Sequence, residues 1–412
     1  MIRARTAMRG GSDAMTYDDP FRSFLPYPDA PVRHSPTGAL AGLTLAVKDL
    51  FDVKGYPTGA GSPMVLAQSG IKTKTAPIVK ELLRAGARFV GKTHTDELAF
   101  SLNGKNAHFG APVNPAAPSR IAGGSSCGSM AAVAGRLADI ALGSDTGGSV
   151  RAPASYGGLF GIRPTHGRLS LKRVWPLAAS LDTPGWFARD GETFARVGHV
   201  LLGRDRTELP ATPRLLLAED MFAQAVPEAE TILRNVVQRT LPSVGQPESL
   251  KVARDIDALY WAFRWIQGRE AWIADGPMIE RFAPPLGPGV RERFAFSRAV
   301  TDAEYARGEA VRKTFRARLA RLLGQDGVLI LPTVPDIAPL VSAEEAELED
   351  FRNRALRLLC LAGLSGFPQV TIPVAQREGA PLGLSLIGPR GSDSSLIAFA
   401  LAYEHATRVR IA

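Results

Sequence analysis

Two glycine- and serine-rich segments carry the residue types best suited to chemistry. "GGSSCGS" spans residues 123–129, and "SDTGGS" spans residues 144–149. Gly147 and Gly148 can adopt backbone angles closed to other residues, so consecutive N–H groups can point at one spot beside Ser149 Oγ. That is the arrangement of an oxyanion hole, in which losing one donor costs ~100–1,000-fold in rate. We interpret Ser149 as a candidate nucleophile for acyl transfer; plain turns between strands and helices are the alternative.

Other chemistries of glycine-rich segments fit these two poorly. Neither segment carries the Gly-Lys-Ser/Thr sequence that places a lysine on bound phosphates. No Gly-x-Gly-x-x-Gly follows a strand-like run with an acidic residue about 20 positions later, as dinucleotide sites require. Ser149 does not stand at the centre of a Gly-x-Ser-x-Gly sequence, so it does not fit the nucleophile turn of the α/β-hydrolases.

A serine nucleophile needs a base, and the histidines offer no clear one. None of the six can be tied to Ser149 by its sequence context; they are His34, His94, His108, His166, His199 and His405. Lys48 lies inside the apolar run "LTLAVKDLF", where burial could lower its pKa from ~10.4 by the two to three units that a base requires. In a strand, Asp49 would point to the opposite face. A lysine that extends outward from a strand end remains the alternative.

The pattern of apolar and polar residues along the chain predicts the helices and strands that position these residues. Residues 38–190 alternate short β-like and helix-like runs, which is typical of an α/β layered sheet. Longer amphipathic helices are predicted within 200–325, at 216–240, 254–274 and 302–323, and strand patterns return in 326–412 before a final helix. Because strands bracket the helical region, we expect one domain over 21–412 with a helical insertion. Residues 1–20 are predicted to be a disordered extension.

The helix predicted at 302–323 concentrates much of the basic charge. Thr301 and Glu304 form a plausible capping box, and Gly324 could end the helix. An apolar stripe is expected at Val311, Phe315, Leu319 and Leu322. The basic residues are then expected to form a solvated face, with a phosphate-binding surface as the alternative; they are Arg312, Lys313, Arg316, Arg318 and Arg321.

Composition excludes several protein classes. Hydrophobic residues make up 45% of the 412 residues and charged ones 22%, as in globular proteins. No apolar run approaches the 18 residues of a membrane span, and the start of the chain lacks the apolar region of a secretory signal. Two cysteines, Cys127 and Cys360, indicate neither a disulfide framework nor a zinc site. We expect a cytoplasmic protein without metal or cofactor, and no nucleic-acid or membrane partner despite the net charge of +9.

A set of ordered motifs resembles the amidase signature family of serine hydrolases. The motifs are "AVKD" (46–49), "GGSSCGS", "GSDTGGSVRAPAS" (143–155), "GIRPTHGRLS" (161–170), "SLDTPGWFARD" (180–190), "LPTVPDIAP" (331–339) and "GFPQVTIPV" (366–374). The resemblance covers nearly all of 38–190 and 326–405, and it is weak across 200–325. It implies an α/β fold in which helices cover both faces of a large mixed central β-sheet.

The resemblance also assigns roles to residues. It implies a Ser–cis-Ser–Lys triad in which Ser149 is the nucleophile, Ser125 the bridging serine in a cis peptide bond, and Lys48 the base. Backbone N–H groups from Thr146 to Ser149, including Gly147 and Gly148, would stabilise the oxyanion. Supporting roles fall to Ser126, Asp145 and Arg151, and the segment Ala99, Phe100 and Ser101 would lie against the substrate carbonyl. Cys127 stands where the family usually has glycine or serine; as a thiolate near a helix N-terminus it would be an alternative nucleophile.

The function that this resemblance implies is hydrolysis of a small, primary carboxylic amide through an acyl-enzyme. "GYPTGAGSP" (55–63) and "SLNGKNAHFG" (101–110) are most similar to the compact amidases related to plant indole-3-acetamide hydrolase, which suggests an arylacetamide. One alternative is the A subunit of a glutamine-dependent tRNA amidotransferase. Another is a catalytically inactive, amidase-like binding protein. The oligomeric state is left open, with a homodimer as one alternative.

Overall fold

The computed structural model describes residues 18–408. Residues 1–17 of the extension predicted over 1–20 therefore lie outside the described residues. The described part begins with a turn in which the Asp19 carboxylate accepts hydrogen bonds from the backbone N–H groups of Phe21, at 3.3 Å, and Phe24, at 2.8 Å.

Ten strands within residues 18–408 form a single sheet with the order β2-β1-β3-β5-β4-β9-β10-β8-β6-β7. The strands are β1 Thr44–Lys48, β2 Arg88–Thr93, β3 Ile140–Asp145, β4 Phe160–Arg163, β5 Thr183–Ala188, β6 Arg214–Ala218, β7 Glu248–Leu250, β8 Gly327–Pro332, β9 Gln369–Arg377 and β10 Ala380–Ile387. Strands at both ends of the sheet pair in parallel, as β2-β1-β3 and β8-β6-β7. The central pairs, from β3-β5 to β10-β8, are antiparallel, so the sheet is mixed.

Helices connect the strands and lie against both faces of the sheet. They are α1 Pro63–Ser69, α2 Pro77–Arg84, α3 Cys127–Ala134, α4 Arg151–Gly157, α5 Gly191–Leu202, α6 Glu219–Phe222, α7 Pro227–Val244, α8 Ile256–Phe282, α9 Val290–Ala299, α10 Asp302–Leu323, α11 Glu345–Ser365 and α12 Asp393–Arg408, with a short 3₁₀ turn at Glu97–Ala99. None of the helices described between residues 18 and 408 combines the length and apolar character needed to cross a bilayer.

Alternate residues of the strands enter different hydrophobic clusters. Leu45 and Val47 of β1 and Leu215 of β6 pack in one cluster with residues of α2, α5, α7 and α12. Ala46 packs with α3 and α4, and Leu216 packs with α8, α10 and α11. Because successive side chains of a strand point to opposite faces, helices cover the sheet on both sides. The predicted fold class is confirmed.

The helical region matches the sequence prediction in part. Helices α8 and α10 occupy the segments predicted at 254–274 and 302–323. In α10, Thr301 Oγ1 accepts a hydrogen bond from the Glu304 N–H, the Glu304 carboxylate accepts one from the Thr301 N–H, and Gly324 follows the last turn. The helix predicted at 216–240 is wrong at its start, where Arg214–Ala218 form strand β6 beside β8. A short run of consecutive leucines fits a buried strand and a buried helix equally well.

The face predicted to be solvated on α10 is also partly wrong. Arg312 is buried and its guanidinium donates to Ser180 Oγ at 2.7 Å and to the Ser180 carbonyl at 2.6 Å. The buried face of α10 contains Gly308, Phe315, Leu319 and Leu323 besides Arg312. A long arginine can join an apolar face when its charged end finds acceptors there.

Candidate active site

Lys48 is the last residue of β1 and is fully buried. Its Nζ donates hydrogen bonds to Ser125 Oγ at 2.7 Å and to Ser144 Oγ at 2.9 Å. The neighbouring Asp49 is engaged elsewhere, since its carboxylate lies 2.7 Å from Lys92 Nζ and accepts from the Tyr27 hydroxyl. Lys48 thus faces two hydroxyl groups, and Asp49 pairs with another lysine.

The two buried lysines differ in what surrounds their ammonium groups. Burial lowers the pKa of both Lys48 and Lys92. Lys92 forms an ion pair with Asp49, which favours its charged form. Lys48 has only serine hydroxyls at hydrogen-bond distance among the described residues, and burial brings its pKa to about 7. About half of a lysine with that pKa is neutral at pH 7 and can accept a proton.

Ser125 lies on the segment that leads into α3. The Gly124–Ser125 peptide bond is cis, as the resemblance implies. Ser125 is buried, and its carbonyl accepts a hydrogen bond from the Asp96 N–H at 3.2 Å. A Cβ on Gly124 would collide with the Asp96 carboxylate, so only glycine fits between the two segments.

The loop from β3 to α4 is organised around the buried Asp145. Its carboxylate accepts hydrogen bonds from the backbone N–H groups of Gly148, Val150 and Arg151 at 3.0–3.2 Å. The guanidinium of Arg151 reaches Asp145 Oδ1 at 2.7 Å, and that of Arg163 reaches it at 3.1 Å. Burial alone would raise the pKa of Asp145, but the two arginines hold it well below its usual range. Asp145 therefore stays ionised and fixes the backbone from 145 to 151.

Arg151 also ties this loop to the C-terminal part of the chain. Its Nη1 donates to the Leu359 carbonyl at 2.8 Å and to Gln369 Oε1 at 2.6 Å. Leu359 lies on α11, and Gln369 is the first residue of β9. Asp145 and Arg151, for which the sequence predicts an anchoring role, thus lie in one buried network.

Ser149 sits inside this loop, two residues before α4. Its side chain is 3% exposed. Its carbonyl accepts a hydrogen bond from the Ser126 N–H at 3.3 Å, so the structure brings the two glycine- and serine-rich segments together. Gly148 has φ +114°, and a Cβ there would collide with Leu359, whereas a Cβ on Gly147 would lie 3.0 Å from Phe263 Cζ.

The residues next to Ser125 and Ser149 are uncharged, and their hydrogen bonds stabilise the two loops. Ser126 Oγ donates to the Ser144 carbonyl at 3.3 Å, and Thr146 Oγ1 donates to Asp182 Oδ1 at 2.6 Å. Cys127, the first residue of α3, is buried, and burial raises the pKa of its thiol. A protonated thiol is a weak nucleophile, which argues against the alternative that Cys127 attacks the substrate.

The segment 99–101 reaches this region through Asp96. Leu98 and Ala99 adopt positive φ angles of 49° and 58° at the 3₁₀ turn. The Phe100 carbonyl accepts a hydrogen bond from Arg293 Nε at 2.6 Å. The Ser101 side chain lies near Asp96, the residue whose N–H contacts Ser125, and counteracts part of the rise that burial causes in the pKa of Asp96. All three residues of the predicted segment are buried.

Sequence reasoning missed four polar residues of the site: Ser144, Asp96, Arg163 and Asp182. Ser144, Arg163 and Asp182 lie within motifs that carry the family resemblance, which was the signal available for them. Burial raises the pKa of Asp96 and of Asp182 to about 6. Within residues 18–408, no group hydrogen-bonds Asp96 Oδ1. Three buried carboxyl groups, those of Asp96, Asp145 and Asp182, therefore act on Lys48 through their charge. None of them hydrogen-bonds its ammonium group among the described residues.

Comparisons with known proteins identify the family of this chain. The amidase family model matches residues 27–257 and 275–397. Amidase 1 of Arabidopsis thaliana is 41% identical over 389 residues, which cover 87% of this chain and 92% of that protein. The A subunit of the glutamyl-tRNA(Gln) amidotransferase from Thermus thermophilus is 32% identical, with 89% of this chain and 85% of that protein covered.

A solved amidase structure is similar to the fold as well as to the sequence. It superposes with a TM-score of 0.80 and 31% identity, and the match covers 90% of this chain and 86% of the other. The segments matched by the family model include β1, the two glycine- and serine-rich loops, and the later strands β8, β9 and β10. A protein with this sheet, these loops and these relatives belongs to the amidase family.

Proposed function

We propose that this amidase hydrolyses a small primary carboxylic amide, such as an arylacetamide, to the acid and ammonia. The observation that carries the proposal is the 2.7 Å contact between Lys48 Nζ and Ser125 Oγ, made by a buried lysine with a pKa of about 7. A hydroxyl activated by a neutral amine is suited to nucleophilic attack on a carbonyl carbon.

In the proposed reaction, Ser149 Oγ attacks the amide carbon while its proton passes to Ser125 and the proton of Ser125 passes to Lys48. The ammonium of Lys48 then returns a proton through Ser125 to the substrate nitrogen, and ammonia leaves as the C–N bond breaks. An ester between Ser149 and the acyl group remains. Water, activated by the same pair of groups, attacks this ester and releases the acid.

The loop around Asp145 supplies the electrostatic part of the proposal. The N–H groups from Thr146 to Ser149 would stabilise the negative oxygen that forms during attack, because fixed backbone donors need no reorganisation in the transition state. The N–H of Gly148 is bonded to Asp145 Oδ1 in this structure, at 3.0 Å. The neighbouring donors are therefore the better candidates for the oxyanion.

Three alanine substitutions test the proposed nucleophile, Ser149, and the proposed proton carrier, Ser125, with the neighbouring Ser126 as the control. We expect Ser149→Ala to abolish ammonia release from a panel of primary amides that includes indole-3-acetamide, and Ser125→Ala to reduce it by several orders of magnitude. Ser126→Ala, which removes a hydroxyl that donates only to a carbonyl, should reduce the rate far less. A fluorophosphonate probe should label residue 149, as located by mass spectrometry. Labelling at another residue, or unchanged turnover by Ser149→Ala, would contradict the proposal.

The amidotransferase A subunit is a second candidate, favoured by the similarity to the Thermus thermophilus protein. That function predicts glutaminase activity and tight association with a partner protein. If the purified chain hydrolyses indole-3-acetamide but not glutamine, this candidate is excluded. A catalytically inactive binding protein would turn over neither amide, although Lys48, Ser125 and Ser149 are all present.

A further inference from the structure

A cavity of about 710 Å³ lies beside α10, and basic side chains line it. Arg312, Lys313 and Arg316 contribute from α10, and Arg390 contributes from the segment between β10 and α12. Arg312 and Arg316 are four residues apart and so lie on the same side of the helix. None of these residues takes part in the proposed amide hydrolysis.

Arg312 is fixed in place. Two of its nitrogens donate to Ser180, at 2.6 and 2.7 Å, and Nη1 also lies 3.1 Å from Glu309 Oε1. Arg312 as a whole is 6% exposed. Its positive charge is therefore held at the wall of the cavity.

Arg316 and Arg390 retain most of their hydrogen-bonding capacity. Arg316 Nη2 makes a long contact of 3.4 Å to the Leu364 carbonyl, and Arg390 Nη2 makes one of 3.5 Å to the His166 carbonyl. Both guanidinium groups border the same point, since a Cβ on Gly366 would lie 3.9 Å from Arg316 Nη2 and 4.0 Å from Arg390 Nη1. Each guanidinium has five N–H donors, so several remain for a ligand between the two side chains.

The cavity has an excess of positive charge. Among the described residues that line it, Glu309 is the one acid, against three arginines and Lys313. Burial and the nearby charges of Arg312 and Arg390 lower the pKa of Arg316, and the charge of Glu309 opposes this shift. Arg316 Nε is buried and has no partner in the described part of the chain. A bound dianion would relieve the repulsion between these like charges.

The rest of the wall is apolar. Phe367 is 4% exposed, and Ala317 and Ala320 lie along α10 beside it. A phosphate ion alone would leave most of a cavity of this size unfilled. The size and the apolar wall together favour a ligand that has a compact organic part attached to the anion.

We propose that this cavity binds the phosphate group of a small phosphate monoester, with Arg316 and Arg390 as its hydrogen-bond donors and Arg312 as a fixed positive charge. A phosphate monoester carries a charge of about −1.5 to −2 at pH 7 and three strong acceptor oxygens, which match forked guanidinium groups better than a single carboxylate does. The organic part lies against Phe367.

Titration calorimetry at pH 7.5 with phenyl phosphate and with inorganic phosphate, at matched ionic strength, tests the proposal. We expect one saturable site that binds phenyl phosphate more tightly than inorganic phosphate. Arg316→Gln and Arg390→Gln should each weaken the binding of phenyl phosphate at least ten-fold. Arg321→Gln is the control, because Arg321 is exposed on the same helix and borders a different cavity with Asp255.

Several outcomes would overturn the proposal. They are the absence of saturable heat with either probe, equal affinity for the two probes, and equal losses in the control and the cavity variants. Unchanged affinity in both cavity variants would also overturn it, because binding would then be elsewhere. Circular dichroism melts of the variants establish that each is folded, and Arg390 is exposed enough for its substitution to leave the core intact.

Discussion

If Lys48 is the base, amide hydrolysis should slow at acid pH, where the lysine becomes protonated. Burial lowers the pKa of Lys48 to about 7, so the amine that accepts the proton is lost as the pH falls below that value. Two units below the pKa, about 1% of the lysine is neutral, so kcat/KM at pH 5 should be roughly 100-fold below its plateau near pH 8. The profile should rise with unit slope through the acid range.

Substitutions separate Lys48 from the nearby acids. Asp96 also has a pKa near 6, and its negative charge favours the ammonium form of Lys48. Asp96→Asn should therefore move the acid limb to lower pH without removing it. Lys48→Arg should abolish activity at every pH, because arginine stays charged. Lys54→Arg, at an exposed lysine on the following loop, should leave the profile unchanged.

The assay is ammonia release from a primary amide under kcat/KM conditions between pH 5 and 9. Stability at each pH is checked by returning the enzyme to pH 8 and measuring full activity. A profile that is flat from pH 5 to 8 would refute the assignment of Lys48 as the base. Loss of the acid limb in Asp96→Asn would assign the limb to the carboxyl group instead.

Three further predictions concern the loop and the lysine. Asp145→Asn should lower the free energy of unfolding, measured in urea, by about 3–5 kcal/mol because it leaves two buried arginines without their anion. Glu280→Gln, at an exposed ion pair, should change the free energy of unfolding little. Equal effects of the two substitutions would contradict the role given to Asp145. Gly148→Ala should lower kcat and the melting temperature, since its φ of +114° and the closeness of Leu359 leave no room for a Cβ; unchanged values would show that the loop adapts. The pKa of Lys48 is lower in the folded than in the unfolded chain, so the unfolded chain binds more protons between about pH 7 and 10 and the stability of the wild type rises with pH there. Lys48→Met should therefore stabilise the protein more at pH 6 than at pH 9, by roughly 2–3 kcal/mol in the free energy of unfolding. A difference between variant and wild type that does not change with pH would argue against a lowered pKa.

The sequence was most informative where structure depends on neighbouring residues. The ends of α10 follow from Thr301, Glu304 and Gly324, which act within a single turn of the helix. The loops that carry Ser125 and Ser149 were identifiable because paired glycines permit backbone angles that few other residues adopt. Their meeting with Lys48 was expected from a family resemblance, since composition supplies no distance between residues about a hundred positions apart.

The features that escaped the sequence depend on distant partners. Arg312 appeared to belong to a solvated helix face, and only its contacts with Ser180, in a segment 132 residues earlier, explain its burial. Asp96 has no local pattern that marks it as a buried acid, and Asp182 is marked only by a motif that carries the family resemblance. The consecutive leucines of β6 form a strand because β8, more than a hundred residues later in the chain, pairs with them in parallel.

The contact of Arg151 with Leu359 and Gln369 has a consequence for biosynthesis. All three proposed triad residues lie within the first 149 positions, yet Arg151, which braces the loop of Ser149, depends on acceptors that are synthesised some two hundred residues later. A nascent chain that has not yet extended past β9 lacks this brace. We therefore expect the enzyme to acquire competence near the end of translation, and chains that terminate early to be inert toward amides.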